Sequence, residues 1–150
     1  MRHGIVPHEY YIDVNNVGEL AEMAFAFLCL DDGEAKKLIV DKLVELGIPF
    51  IDVGMGLYRV GDSLGGVLRV TASTLEKRDH VTHGGRIPFA KGNRNDEYSK
   101  NIQIADLNAL NAALAVIKWK KMFGFYSDLE REHHSTYTID GNSTTNEDCS

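Results

Sequence analysis

The sequence predicts an α/β domain built on a mostly parallel sheet, present in part, with an antiparallel hairpin extension and a long C-terminal helix. Three observations carry that expectation. The run "FAFLCL" at residues 25–30 is apolar throughout and stops at two adjacent carboxylates, Asp31 and Asp32. A helical apolar period follows at once, and then a second apolar run, "IPFIDVG", closes a strand–helix–strand unit of about 30 residues, the size of a βαβ crossover. From Gly54 onward the pattern changes to alternation punctuated by Gly-Asp and Gly-Gly, as an antiparallel hairpin requires.

The elements follow in order. Residues 1–14 form an irregular or extended lead-in. "NNVGELAEMA" offers Asn15 or Asn16 as a helix cap, with Leu20 and Met23 on one short face. Residues 25–30 lack any polar alternation, the pattern of a strand buried on both faces of a parallel sheet. Beyond Asp32, Ala35, Leu38, Ile39, Leu43 and Leu46 share one helical stripe, and Lys36, Lys37, Asp41, Lys42 and Glu45 lie mostly opposite. Asp32 is the expected N-cap and Gly47 the C-terminal stop. Residues 73–97 are polar and read as a long loop. The helix expected over residues 98–124 carries Leu107, Leu110, Leu114 and Ile117 as its main stripe, with Gly124 at its end. "HSTYTIDGN" reads as a last strand. Residues 1–140 form one unit and residues 141–150 a polar tail.

Composition narrows the function. The 150 residues are 43% hydrophobic and 25% charged, an ordinary globular balance. A net charge of −6 does not suit the chain as a whole to nucleic acid. No apolar run approaches the roughly 20 residues of a membrane span, and the first residues lack a signal-peptide core. The two cysteines have no metal-like spacing, so a reducing, cytoplasmic setting is expected.

Ligands of open parallel sheets bind outside the carboxyl ends of the strands, which is where Asp31 and Asp32 stand. In one reading Asp32 caps the helix and Asp31 is a solvated turn residue. In another, one acid caps and the other turns outward to hold Mg²⁺ bound to nucleotide phosphates. A ribose-binding acid would need a G-x-G-x-x-G turn about 20 residues upstream. The segment there, "YYIDVNNVGELAEMAFAF", has none, which disfavours a lone nicotinamide-binding domain. His80, His83, His133 and His134 lack partners at zinc spacing and are expected to be solvated loop residues. Asn101, Asn108 and Asn111 are expected to bond to neighbouring backbone. Trp119 and its flanking lysines mark an amphipathic helix end whose cations favour the C-terminus.

"FLCLDDGEAKKLIVDKLVELGIPFIDVGMG", together with the later "YSKNIQIADLNALNAALAVIKWKKMFGFYSD", resembles the back half of the ThiF-type adenylation domain. That superfamily includes bacterial sulfur-carrier activators and ubiquitin-activating enzymes. The resemblance implies a Rossmann-like sheet and an ATP-dependent adenylyltransferase that activates the C-terminal carboxylate of a ubiquitin-like or sulfur-carrier protein. It implies ATP and Mg²⁺ as cofactors, Asp31 as catalytic metal anchor, and Asp32 and Lys36 beside the nucleotide. Asp32 stands where the family often has Asn, and Lys36 where it often has Arg. Leu28 replaces a commonly acidic position. Lys36 either neutralises phosphate as a point charge or is a solvated helix-face lysine. The Gly-rich phosphate turn and ribose-binding strand of the family are not in this sequence. The expectation is therefore a truncated product or a split subunit that associates with itself or with a missing N-terminal half. The alternative is a non-catalytic module kept for dimerisation or partner binding. Some relatives form a thioester on a loop cysteine; the loop at residues 73–97 has none, Cys29 lies in the apolar run as a small hydrophobe, and Cys149 in the tail is the position left open for such a transfer.

Overall fold

The computed structural model describes residues 4–89 and 104–150. The expected loop beyond residue 89, the helix start at residues 98–103 and Asn101 lie outside the described residues. After a 3-10 helix, Val17–Glu22, the chain runs β1 (Ala26–Leu28), α1 (Gly33–Glu45), β2 (Phe50–Val60), β3 (Ser63–Ser73), α2 (Asp79–Thr82), α3 (Ala105–Met122), β4 (His134–Thr138) and β5 (Ser143–Glu147). The strands form one mixed sheet in the order β1-β2-β3-β4-β5.

Among the described residues only β1 and β2 run parallel, with Ala26 opposite Phe50 and Leu28 opposite Asp52. The three remaining pairs are antiparallel. This corrects the expectation of a mostly parallel sheet. The cause is the length of β2: it outruns its three-residue partner and turns straight back at Gly61-Asp62 into β3, giving eleven antiparallel positions from Phe50↔Ser73 to Val60↔Ser63. Gly61 takes φ +59°, a left-handed value that a glycine adopts without strain.

The sheet carries a helix on each face, because successive side chains of a strand point to opposite sides. Leu28 and Phe50 pack with Ile39, Val40 and Leu43 of α1, and with Val81 and Ile87 beyond β3. Ile51, Val70 and Ala72 pack on the other face with Ala115, Leu114 and Trp119 of α3. Among the described residues no helix is long and apolar enough to cross a membrane.

Several elements differ from expectation. β1 is not buried on both faces: it is an edge strand three residues long, Phe27 is 43% exposed, and Cys29 is exposed just past its end. The buried face of α3 is Leu107, Asn111, Ala115 and Lys118, so Leu110 and Ile117 of the expected stripe face outward. The helix ends at the expected Gly124, φ +73°, and the expected strand follows as β4, but a second strand, β5, comes after it. The polar tail contains β5, which pairs with β4 from His134↔Glu147 to Thr138↔Ser143. Thr and Ser suit an edge strand whose stability comes from backbone pairing rather than from burial.

Candidate functional site

β1 delivers the chain to the carboxyl end of the parallel pair, and four residues lead from there into α1. Asp32 has extended dihedrals, φ −75° and ψ 111°, and its Oδ1 accepts from the backbone N–H of Glu34 at 2.9 Å and of Ala35 at 3.0 Å. It is the N-cap expected from the sequence, and it satisfies two amides that the helix itself leaves without partners. Asp31, one residue earlier, is exposed. Cys29 lies close enough to Asp52 and Lys36 to feel both, and its thiol is pushed up chiefly by desolvation and then by the Asp52 charge.

Lys36 is not the solvated helix-face lysine of one expectation. It is only 4% exposed, and its Nζ stands 2.8 Å from Oδ1 of Asp52. Oδ2 of the same carboxylate accepts from Nη2 of Arg69 at 2.7 Å. Asp52 is wholly buried on β2. Burial pushes its carboxyl upward, while the Lys36 ammonium and the Arg69 guanidinium pull it back. Two cations on one carboxylate leave a net charge of +1 beneath the strand ends. The Arg69 guanidinium lies across Gly54, its partner in the β2–β3 register, and fills the space where a Cβ would stand. From the other face, Nδ2 of Asn111 donates to the Gly54 carbonyl at 3.0 Å, the backbone bond expected of that asparagine. Asn108 is exposed.

Sequence reasoning passed over Asp52 and Arg69. A signal was present: Asp52 interrupts an otherwise apolar run, and Lys36 precedes Ile39, Val40 and Leu43 at helical spacing. A charged residue on an apolar stripe implies a buried partner.

The histidines also depart from expectation. His83 is exposed, but His80, His133 and His134 are buried between α2, β3 and β4. His80 Nε2 lies 2.8 Å from the Ala72 carbonyl and must donate to it. His133 Nδ1 donates in the same way to the Asp148 carbonyl at 3.2 Å, and His134 Nδ1 meets Thr71 Oγ1 at 2.9 Å. Desolvation is the main cause that lowers all three basicities. Among the described residues no group of three His, Cys, Asp or Glu side chains is placed to hold a metal ion.

An open cleft of about 570 Å³ lies at the opposite end of the parallel pair, lined by Pro49, Thr74, Lys118, Lys121 and Asp128 among others. Its lysines are engaged: Lys118 reaches Asp128 at 3.0 Å and Lys121 reaches Glu132 at 3.1 Å. The carboxyl end of the strands remains the better candidate, because there an exposed acid stands ahead of a capped helix with buried positive charge behind it. No protein-family model matches the chain, and no curated protein matches it significantly.

Proposed function

We propose that this chain contributes the acid-bearing part of an ATP-dependent, ThiF-type adenylation site, and that β1–α1–β2 is one crossover of a Rossmann-like sheet. The acceptor is the C-terminal carboxylate of a ubiquitin-like or sulfur-carrier protein, and the setting is cytoplasmic. A carboxylate oxygen bonds to the α-phosphorus of ATP, the bond to the bridging oxygen breaks, and pyrophosphate leaves with its electron pair. The observation that carries this reading is the exposed Asp31 at the carboxyl end of the parallel pair, next to the capped start of α1.

The donor set fits a cation that arrives on nucleotide phosphates. Mg²⁺ commonly keeps its waters and takes one or two carboxylates besides phosphate oxygens. Asp31 supplies one such carboxylate, and the ion when bound neutralises phosphate charge. Asp32 orders the helix start through its cap. Lys36 does not fit a direct phosphate contact, since its ammonium is buried against Asp52. Together with Arg69 it adds positive charge behind the site.

The test is ATP–pyrophosphate exchange by this chain joined to the sequence encoded directly upstream of it, where the phosphate-cradling turn belongs in this reading. Asp31→Asn should lower exchange by about a hundredfold or more, since a neutral amide is a poor Mg²⁺ ligand. Asp32→Asn should stay within about twofold, since Asn caps as well as Asp. Equal, small effects would make Asp31 a turn residue and remove the proposal. A second reading, a non-catalytic association module, is favoured by one observation: Leu110, Val116 and Ile117 on the outer face of α3 are exposed.

A further inference from the structure

The two faces of α3 differ in kind. Leu107, Asn111, Ala115 and Lys118 are buried toward the sheet. Opposite them, Asp106, Ala109, Leu110, Ala113, Val116 and Ile117 are exposed and Lys120 is half-buried. Leu110 and Ile117 remain 38% and 43% exposed, and Phe123 at the end of the helix 62%. This exceeds the scattered apolar exposure of an ordinary surface, because the residues lie on one continuous stripe.

The stripe is symmetric about Ala113. Asp106 stands seven positions before it and Lys120 seven after, about 10 Å away on each side. Leu110 and Val116 are three positions away, and Ala109 and Ile117 four. Two copies of α3 crossed antiparallel about a twofold axis at Ala113 would set each position against its mirror. Asp106 would meet Lys120, Leu110 would meet Val116, and small Ala109 would meet large Ile117. Ala113 would meet itself, and a methyl group there lets the helix axes approach closely. The helix dipoles would also oppose one another favourably.

From this we infer that the outer face of α3 is a homodimer interface, closed by a second copy of the chain in antiparallel register. Charge selects the occupant. A uniformly acidic or basic partner would match one end of the stripe and repel the other, whereas a second copy complements both ends by symmetry. The Lys120 Nζ lies at the C-terminal end of the helix, 4.8 Å from the Phe125 ring centroid and 5.5 Å from that of Tyr126. The inference stands apart from nucleotide binding, since Asp31 is not on this helix.

Sedimentation equilibrium of the full 150-residue chain at low salt tests it, with far-ultraviolet circular dichroism as the check on folding. The unaltered chain should be a dimer at about 100 µM. Ala113→Glu sets two carboxylates against each other on the axis and should give a folded monomer, because Ala113 is exposed. Asp106→Lys and Lys120→Asp should each weaken dimerisation by about tenfold or more, since each turns two attractive contacts into repulsive ones. An equal mixture of those two variants should recover tight association, because every end contact in the heterodimer is again between opposite charges. A monomeric parent chain at about 100 µM would overturn the inference. So would a dimer insensitive to Ala113→Glu, or a mixture no tighter than its components.

Discussion

Removing the Asp52 carboxylate tests whether Lys36 is a structural cation. In the folded protein Asp52 holds two positive groups, Lys36 Nζ at 2.8 Å and Arg69 Nη2 at 2.7 Å. The Lys36 side chain is 6% exposed and that of Arg69 17%, so neither finds adequate water when the acid is lost. Asp52→Ala takes the cluster from a net charge of +1 to +2 in a desolvated site. Breaking a buried pair in this way costs about 3–5 kcal/mol. Lys36→Met runs the other way: it leaves a neutral Asp52–Arg69 pair and keeps an unbranched apolar stem beside Ile39 and Val40. That change should cost about 1 kcal/mol or less, since apolar replacement of a buried ion is often close to neutral. Urea unfolding at neutral pH measures both. Equal losses for the two variants, or a loss below about 1 kcal/mol for Asp52→Ala, would refute the electrostatic argument. Lys36 would then be open again as a phosphate ligand.

Four further expectations follow from the geometry. Because burial lowers the basicities of His80, His133 and His134, the folded chain binds fewer protons than the unfolded chain just below the ordinary histidine value of 6.5. Stability is then fully present above pH 6.5 and falls as the pH drops, by up to about 1.4 kcal/mol per pH unit for each histidine. A urea midpoint unchanged between pH 7.5 and 5.5 (roughly one unit either side of that value) would contradict it. Asp32→Ala should cost about 1 kcal/mol through the lost cap, and Asp32→Asn almost nothing; two equal thermal shifts would argue against the cap. Gly54→Ala should displace the Arg69 guanidinium and cost about 1–3 kcal/mol by overpacking, read as a lower urea midpoint. The 150-residue chain by itself should show no ATP–pyrophosphate exchange above background, because its sequence has no G-x-G-x-x-G turn to offer backbone donors to phosphate. Exchange by the pure chain would refute that.

Local features of this protein were legible in the sequence. Asp32 caps α1 through amides two and three residues ahead, so its own neighbours determine it. The Gly61-Asp62 turn joins adjacent alternating runs, and its two-residue length sets the register of β2 on β3. The end of α3 follows from Gly124, whose positive φ stops the helical ladder. The acids at the end of the first strand were likewise visible as candidates.

Tertiary structure decided what depends on distant partners. Lys36 reads as a solvated helix residue until Asp52 arrives from β2 to compensate its burial, with Arg69 of β3 on the other oxygen of the same carboxylate. β5 reads as a polar tail because nothing apolar marks it; β4 makes it a strand by offering free backbone groups. The three inward histidines follow from carbonyls and hydroxyls on β3 and near the C-terminus. The exposed stripe of α3 was hidden by the same limit, since apolar period identifies a helix but not which of two apolar faces meets the sheet. In each case the deciding energy belongs to a contact between residues far apart in the chain; local pattern at most marks a residue out of place, as it does Lys36 on its apolar stripe, and does not name the partner.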